Sequence, residues 1–422
     1  MPENHIVIKN GGDDCLTSQK IDNLPGLAMD SSAREREKSL DLNVGYDSKS
    51  SLWEVIVKYT GDISKIENDA VTVVPLLNGY AVVTLPESGI RQLANMAEVE
   101  YIEKPKRLFF AARQGKEASC IFQVQREPYN LTGRDILVGI VDSGVDYRHP
   151  DFCNADGSSR ILRLWDQTGS GTPPKGYRMG AEYTQEDINE ALSLPADEGY
   201  EVVPSRDLSG HGTSVLGIAA GNGRASEGTK RGVAWQSDLL VVKLGTAREN
   251  SFPRTTELMQ GVDYLVRQSL LMQKPIAINL SFGNNDGAHQ GTSLLETYLD
   301  QVADMGRCSI CVGTGNNGNQ ALHTSGSLKR GESARAELAV TAYERVLNLQ
   351  LWKSYVQDFD IELAHPSGER VGPLSERLGT QRYVLGQTEL LIYYGEPSPY
   401  QLAQEIYVDF IPRESYVDEG IW

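Results

Sequence analysis

From Ser51 the chain alternates apolar and polar residues in a pattern whose period changes twice. Trp53, Val55, Val57 and Tyr59 alternate as a half-buried strand does. Leu77-Asn78-Gly79-Tyr80 is a hairpin turn signal between two further apolar runs. Ile90, Leu93, Ala94 and Ala97 then fall on one face of a helix, predicted to begin through Ser88. A short strand over Val99 to Ile102 leads into the basic segment Lys104 to Arg107. Strand, short helix, hairpin, helix and strand describe a small α+β unit over residues 51–115. Residues 1–50 ahead of it are polar, include the charged run Ala33 to Lys38, and hold no sustained period. They read as a flexible or partly helical leader.

Beyond Gly115 the period lengthens. Ile136 to Val141 is an apolar run that ends on Asp142, followed by the turn residues Ser143 and Gly144. A buried parallel strand would deliver Asp142 to its carboxyl end, where open α/β sheets hold their active sites. A purely structural turn fits that stretch as well. Ser214 to Ala220 reads as a buried helix stopped at Gly221, and Leu239 to Leu244 as a strand. Leu258, Val262, Leu265 and Val266 mark a helix, Ile276 to Ser281 a strand, Leu295, Leu299 and Val302 a helix, and Ile310 to Thr314 a strand. Such alternation predicts an α/β fold, a doubly wound parallel sheet over residues 116–325. The irregular stretch between Gly144 and His211 is too long to be structureless and should hold hairpins and a short helix near Thr184 to Leu192.

Past Thr324 the period shortens to two. Leu347/Leu349/Leu351, Phe359/Ile361/Leu363 and Ile406/Val408/Phe410 alternate without helices between them, with His365-Pro366-Ser367-Gly368 as a turn. Residues 326–422 therefore read as an antiparallel, jelly-roll-like β-sandwich. No repeat of 20 to 50 residues is evident.

Composition narrows the partners. A formal net charge of −17 and a pI near 4.9 argue against nucleic acid or an anionic membrane, both of which need a basic surface. No run of 18 apolar residues and no apolar core in Met1 to Lys20 point to a protein made in the cytoplasm, cytoplasmic or spore-associated. Five scattered cysteines fit reduced thiols better than a disulfide framework. Cys308 and Cys311 have C-x-x-C spacing, but in an apparent buried strand residues three apart face opposite sides, which favours core cysteines over a redox or zinc pair.

The chemistry lies in four short motifs in order: Asp142-Ser143-Gly144, Gly210-His211-Gly212-Thr213, Asn279-Leu280-Ser281-Phe282-Gly283 and Gly315-Asn316-Asn317-Gly318. A hydrolase that attacks a carbonyl needs a nucleophile, an imidazole base, a carboxylate to hold the imidazole, and donors for the oxyanion. Asp142 and His211 suit the carboxylate and base roles, and the Asn316 side chain suits the oxyanion donor. In this order the motifs resemble those of the subtilisin-like serine proteases, the subtilases, over about residues 130–320. The resemblance implies a subtilisin-like fold, with Asp142, His211 and Asn316 as catalytic residues. It also implies that Lys243-Leu244-Gly245 and Ser281-Phe282-Gly283 are the edges that pair with an extended protein or peptide substrate. The unit at 51–115 is then the protein's own propeptide, a folding chaperone and inhibitor. Tyr129-Asn130-Leu131-Thr132-Gly133-Arg134, Tyr147-Arg148-His149-Pro150-Asp151-Phe152 and a β-sandwich inserted after the oxyanion loop are similar to the Csp-type, spore-germination branch.

One departure from the pattern is as informative as the match. Subtilases carry the nucleophile in Gly-Thr-Ser-x-Ala/Met-x-Pro after the oxyanion Asn. Ser214 belongs to the His motif, and Ser293, with Glu296 three residues on, reads as a helix capping box. The chain thus reads as a subtilase cut inside the insertion before the serine segment, and inactive by itself. Two alternatives stand: a non-catalytic, subtilase-like pseudoprotease scaffold acting by protein binding in signalling or germination, and a binding module centred on the sandwich. No cofactor is required. Asp146 and His149 suggest turn hydrogen bonding over a metal site. Asn154-Ala155-Asp156-Gly157 resembles a calcium loop but lacks its spaced oxygens and terminal Glu, so a hairpin turn is preferred and calcium has no motif behind it.

Overall fold

The computed structural model describes residues 19–39, 41–107, 109–110, 119–245, 253–318, 320–377, 379–396 and 398–422. The first unit holds α1 (Asn23–Asp30), α2 (Ala33–Lys38), β1 (Tyr46–Asp47), β2 (Leu52–Tyr59), β3 (Thr72–Pro75), β4 (Tyr80–Pro86), α3 (Glu87–Ala94) and β5 (Val99–Glu103). Its antiparallel sheet runs β1-β2-β4-β3, with β5 also on β2. The β3–β4 turn is tight because Asn78 and Gly79 take φ of 59° and 72°, which Asn and Gly tolerate best. The helix predicted through Ser88 starts earlier, at Glu87 behind Pro86, and ends at Ala94, so Ala97 is exposed in the following turn.

The leader expected over residues 1–50 is in part a folded layer of this unit. Ser32 accepts from Glu35 N while Glu35 accepts from Ser32 N, a capping box that starts α2 within the charged run. Leu24, Leu27 and Ala28 of α1 are buried with Trp53, Val55, Val57, Leu85, Ile90 and Leu93. The apolar period is invisible in the sequence because α1 has only eight residues, two of them Pro25 and Gly26. Gly26 is needed there: a Cβ would sit 3.1 Å from the Tyr393 hydroxyl oxygen. Residues 1–18 lie outside the described residues.

The second unit begins with β6 (Phe109–Phe110) and α4 (Ile121–Val124), followed by β7 (Leu137–Asp142), β8 (Ile161–Asp166) and β9 (Ala181–Thr184). It continues through α5 (Gln185–Ser193), α6 (Ala196–Val202), α7 (His211–Ala220), β10 (Asp238–Lys243), α8 (Thr255–Met272), β11 (Ile276–Leu280), β12 (Phe282–Gly283), α9 (Leu294–Asp304) and β13 (Cys308–Val312). The sheet order is β13-β11-β7-β10-β8-β9, parallel except for β9. Alternate residues of the central strand face two cores, as a doubly wound sheet requires. Leu137 and Val141 join Leu258, Val262 and Leu265 of α8, whereas Val138 and Ile140 join Leu216 and Ala220 of α7. β13 was expected to be buried and is not. It pairs with β11 alone among the described strands, and Cys311 and Val312 are exposed while Cys308 packs on the α8–α9 side.

The last unit holds β14 (Ala339–Val340), β15 (Leu347–Ser354), β16 (Leu363–Ala364), β17 (Arg370–Val371), β18 (Thr380–Leu385), β19 (Thr388–Tyr394), β20 (Ala403–Pro412) and β21 (Gly420–Ile421). Four of these form an antiparallel sheet in the order β15-β20-β19-β18, beside the ribbons β14–β21 and β16–β17. Of the predicted run Phe359 to Leu363 only its end becomes a strand, and the sequence pattern missed β18 and β19. The turn at His365 to Gly368 joins β16 to β17, with Gly368 N donating to His365 O.

Along β20 the outward positions are buried too. Ile406, Val408 and Phe410 pack with Leu390, Ile392, Val340 and Trp422, while Tyr407 and Ile411, with Leu391 and Tyr393, complete the core of the first unit. Polar contacts reinforce this junction. Arg382 Nε donates to Glu35 at 3.0 Å and its terminal nitrogen to Asp30 O at 2.8 Å, and Lys38 Nζ donates to Pro412 O at 2.6 Å. Among the described residues no helix is long and apolar enough to cross a membrane.

Candidate active site

β7 is buried along its whole length and ends on Asp142, which is 0% exposed. The chain leaves the sheet through Gly144 at φ 105°, and Ser143 N folds back to donate to Asp142 Oδ1 at 2.7 Å. α7 approaches this turn with its first residue, His211, delivered by Gly210 at φ 72°. His211 Nδ1 lies 2.7 Å from Asp142 Oδ1. An ionised carboxylate only accepts, so Nδ1 is the donor of this contact. Gly212 permits this approach: a Cβ there would lie 2.1 Å from Gly144 O and 3.1 Å from Asp142 Oδ1. Burial pushes the Asp142 carboxyl above its usual range, against hydrogen bonds from His211 and Ser143 that favour the charge. A buried carboxylate on a half-buried imidazole can orient a base and stabilise the imidazolium it becomes.

The sequence reading missed Asp207. Its Oδ1 accepts from Ser143 Oγ at 2.8 Å, Ser209 Oγ at 3.1 Å and Gly210 N at 2.9 Å, and its Oδ2 from Thr213 N at 2.9 Å and Thr213 Oγ1 at 2.7 Å. Burial would raise its pKa, but the bonds from Thr213, Ser143 and Ser209 outweigh that and hold it below the usual carboxylate range. The available signal was an Asp three residues ahead of the glycine that starts a helix, with a Ser between them.

The other predicted residues gather at the same carboxyl edge of the sheet. Lys243 is level with Asp142 in the β10–β7 register, but its ammonium is held by Asp166 at 3.3 Å. Leu244 is buried and donates its N–H to Asp142 O at 2.6 Å; Gly245 N donates to Gln167 Oε1 at 3.3 Å. Ser281 Oγ accepts from Asn279 Nδ2 at 2.7 Å, and the Phe282 side chain is buried in the core on the α8–α9 side. The backbone of Phe282 and Gly283 is not idle: it pairs antiparallel with Phe110 and Phe109. Asn316 lies exposed on the loop after β13, behind Gly315 at φ 87°, and its side chain is hydrogen-bonded to none of the described residues. The structure thus joins Asp142 to His211 by a direct contact and leaves Asn316 on a neighbouring loop.

The residues that compete for attention have local duties. Ser214 Oγ donates to Gly210 O within the first turn of α7, and Ser293 caps α9 in the predicted capping box with Glu296. Asp146 accepts from Arg148 N, and His149 Nδ1 from Asp151 N. Asn154 to Ser158 close a tight turn, with Asp156 accepting from Ser158. Among the described residues no three His, Cys, Asp or Glu side chains are placed to hold a metal ion.

The first unit docks on the helices behind the site. Glu103 accepts Leu294 N at 2.8 Å at the start of α9, Lys106 N donates to Thr255 Oγ1 at 2.8 Å at the start of α8, and Leu77 N donates to the buried Asp263 at 2.7 Å. From there the chain runs on to Phe109–Phe110, against Phe282–Gly283.

Comparison with known proteins identifies the family. Residues 133–395, more than half of the chain, match the family model of the subtilase family, and residues 19–106 match that of the Csp protease B prodomain. The structure of the Clostridium perfringens CspB protease is similar with a TM-score of 0.64 and 34% identity, over 74% of this chain and 64% of that one. The serine protease AprX of Bacillus subtilis (strain 168) is 25% identical over 206 residues, 48% of this chain and 38% of AprX. The major intracellular serine protease of the same organism is 27% identical over 189 residues, 45% of each chain. The chain spans less than two thirds of each of these relatives. With a family-model match over more than half of its length and a Csp-type prodomain match ahead of it, the chain belongs to the subtilase family, as a member of Csp type.

Proposed function

We propose that the chain carries the prodomain and the Asp/His half of a serine endopeptidase. In this reading His211 is the general base, Asp142 orients it, and Asn316 donates to the oxyanion once a peptide lies on the carboxyl edge of the sheet. The observation that carries the proposal is the 2.7 Å contact between His211 Nδ1 and the fully buried Asp142. The backbone pairing of Phe109–Phe110 with Phe282–Gly283 supports the reading of 281–283 as the substrate edge, occupied here by the prodomain's own exit strand. Lys243, Leu244 and Gly245 then form the opposite wall with the Leu244 and Gly245 carbonyl oxygens as its acceptors, since the Lys243 and Leu244 side chains and the Leu244 and Gly245 N–H groups are committed elsewhere. The antiparallel sheet and ribbons after residue 338 are taken as the jelly-roll-like insertion, and spore germination as the setting, by likeness to the Csp branch.

Both Gly-Thr-Ser serines are engaged in helix starts, and in this reading neither Ser214 nor Ser293 supplies the attacking hydroxyl. Residues 1–422 are then expected to leave a peptide substrate uncut and to take no label from a fluorophosphonate probe. A longer protein with a Gly-Thr-Ser-x-Ala-type segment should label, and His211→Ala should abolish it. Labelling of Ser214 or Ser293 in the 422-residue chain would overturn the assignment, and a longer protein that stays unlabelled would favour the scaffold reading.

A further inference from the structure

We infer that Asp207 is a positioning residue for the His211–Asp142 pair, tying the turn that follows Asp142 and the helix start that carries His211 to one carboxylate. The inference rests on the proteolytic reading above for its purpose, but its geometry stands independently. Five donors from three separate segments converge on Asp207: Ser143 from the turn after β7, Ser209 and Gly210 from the loop before α7, and Thr213 twice from the first turn of α7. Three of the four donor residues, Ser143, Ser209 and Thr213, have a second contact near the pair. Ser143 Oγ accepts from Gly212 N at 2.9 Å, and Ser143 N donates to Asp142 Oδ1 at 2.7 Å. Ser209 Oγ accepts from His211 N at 3.1 Å, and Thr213 Oγ1 accepts from Asp146 N at 2.8 Å.

This arrangement solves a specific problem. α7 starts from Gly210 in a left-handed conformation, and no side chain caps its first turn from the N-cap position. Gly210 and Gly212 on either side of His211 give the backbone freedom that would otherwise let the imidazole wander. A negative charge at the first turn satisfies the open N–H groups and complements the helix dipole. Asp207 supplies both, and through Ser143 it couples them to the strand end that holds Asp142. Asparagine at the position would have nearly the same shape but would turn an NH₂ toward two or three of the five donors.

The test uses the 422-residue chain labelled with ¹⁵N-histidine, with His211→Gln to assign the low-field Nδ1–H resonance of the His211–Asp142 hydrogen bond. Asp207→Asn is expected to broaden or abolish that resonance, with exchange of its proton with solvent faster by at least roughly tenfold, the cost of orphaning half-buried donors. Thr213→Val, which removes one donor and the link to Asp146, should give an intermediate rate. Thr184→Ala, which uncaps the distant α5, should leave the resonance unmoved although it destabilises the fold. If Asp207→Asn keeps the resonance and the exchange rate of the unmodified chain, the inference is overturned. Should that variant fail to fold by circular dichroism, wild-type exchange in Thr213→Val overturns it instead. The readout needs no turnover, so a longer protein that stays unlabelled by the fluorophosphonate would sink the protease reading and leave this inference standing. A missing resonance in the unmodified chain would sink the His211–Asp142 pairing on which both stand.

Discussion

Replacing Arg382 by methionine cuts a charged tie between the C-terminal sheet and the prodomain helices while keeping most of the apolar stem. Arg382 donates to Glu35 at 3.0 Å and 3.4 Å and to Asp30 O at 2.8 Å, and its side chain is 30% exposed against 10% for Glu35. A hydrogen bond to a charged group contributes about 1.5–3 kcal/mol when buried, and partial exposure of the guanidinium brings the pair to the lower end. Adding the lost carbonyl contact gives a total of about 2 kcal/mol, close to a thirtyfold change in a local opening equilibrium. Hydrogen exchange of the α2 amides, Ala33 to Lys38, in the intact chain reads that opening directly, without assuming that a chain of several units unfolds in one step. The pH dependence follows from Glu35. Burial would raise its pKa, but the bonds from Arg382 and Ser32 prevail and hold it below its ordinary value. Stability from a depressed carboxyl is fully present above the unfolded pKa, near 4.5, and is lost as pH falls through the folded value. The thirtyfold difference between the parent and Arg382→Met should therefore stand at pH 7 and shrink as the pH is taken below 4.5. Glu35→Gln keeps the capping box and removes the charge, so Arg382→Met should cost less in that background. An equal cost in both backgrounds, or unchanged α2 exchange at pH 7, would refute the reasoning.

Two further substitutions probe the site and its decoy. Gly212→Ala places a methyl 2.1 Å from Gly144 O and must displace the start of α7; the low-field Nδ1–H resonance of His211 should vanish, with a loss of about 1–3 kcal/mol in thermal or denaturant unfolding. Ser293→Ala removes the α9 cap and should cost about 1 kcal/mol by the same unfolding measurement, while leaving fluorophosphonate labelling of a longer, serine-bearing protein at the parent level.

Most of the parallel sheet was readable because β7, β10 and β11 are largely apolar runs that a two-faced core accepts, and β7 is buried at every residue; β8, interrupted by Arg163, was not. The Asp142 and His211 motifs stood out because glycines mark the backbone turns beside them. Asp207 was not, since its role lies in donors brought together from residues 143 to 213, a juxtaposition no local pattern encodes. The same limit hid α1, whose buried face is short and whose partners Leu391 and Tyr393 lie at the far end of the chain. β13 was misread in the other direction: its composition matches an interior strand, yet it lies at the edge of the described sheet.

The sheet that closes the prodomain core has a consequence for synthesis. Leu27 and Ala28 leave the ribosome first, but the core they belong to also includes Leu391, Tyr393, Tyr407 and Ile411. At elongation rates of about 5–20 residues per second, roughly 20–80 s separate the two ends. For that interval the nascent prodomain offers an incomplete apolar surface to whatever is nearby, and completion of its core waits for translation of β19 and β20.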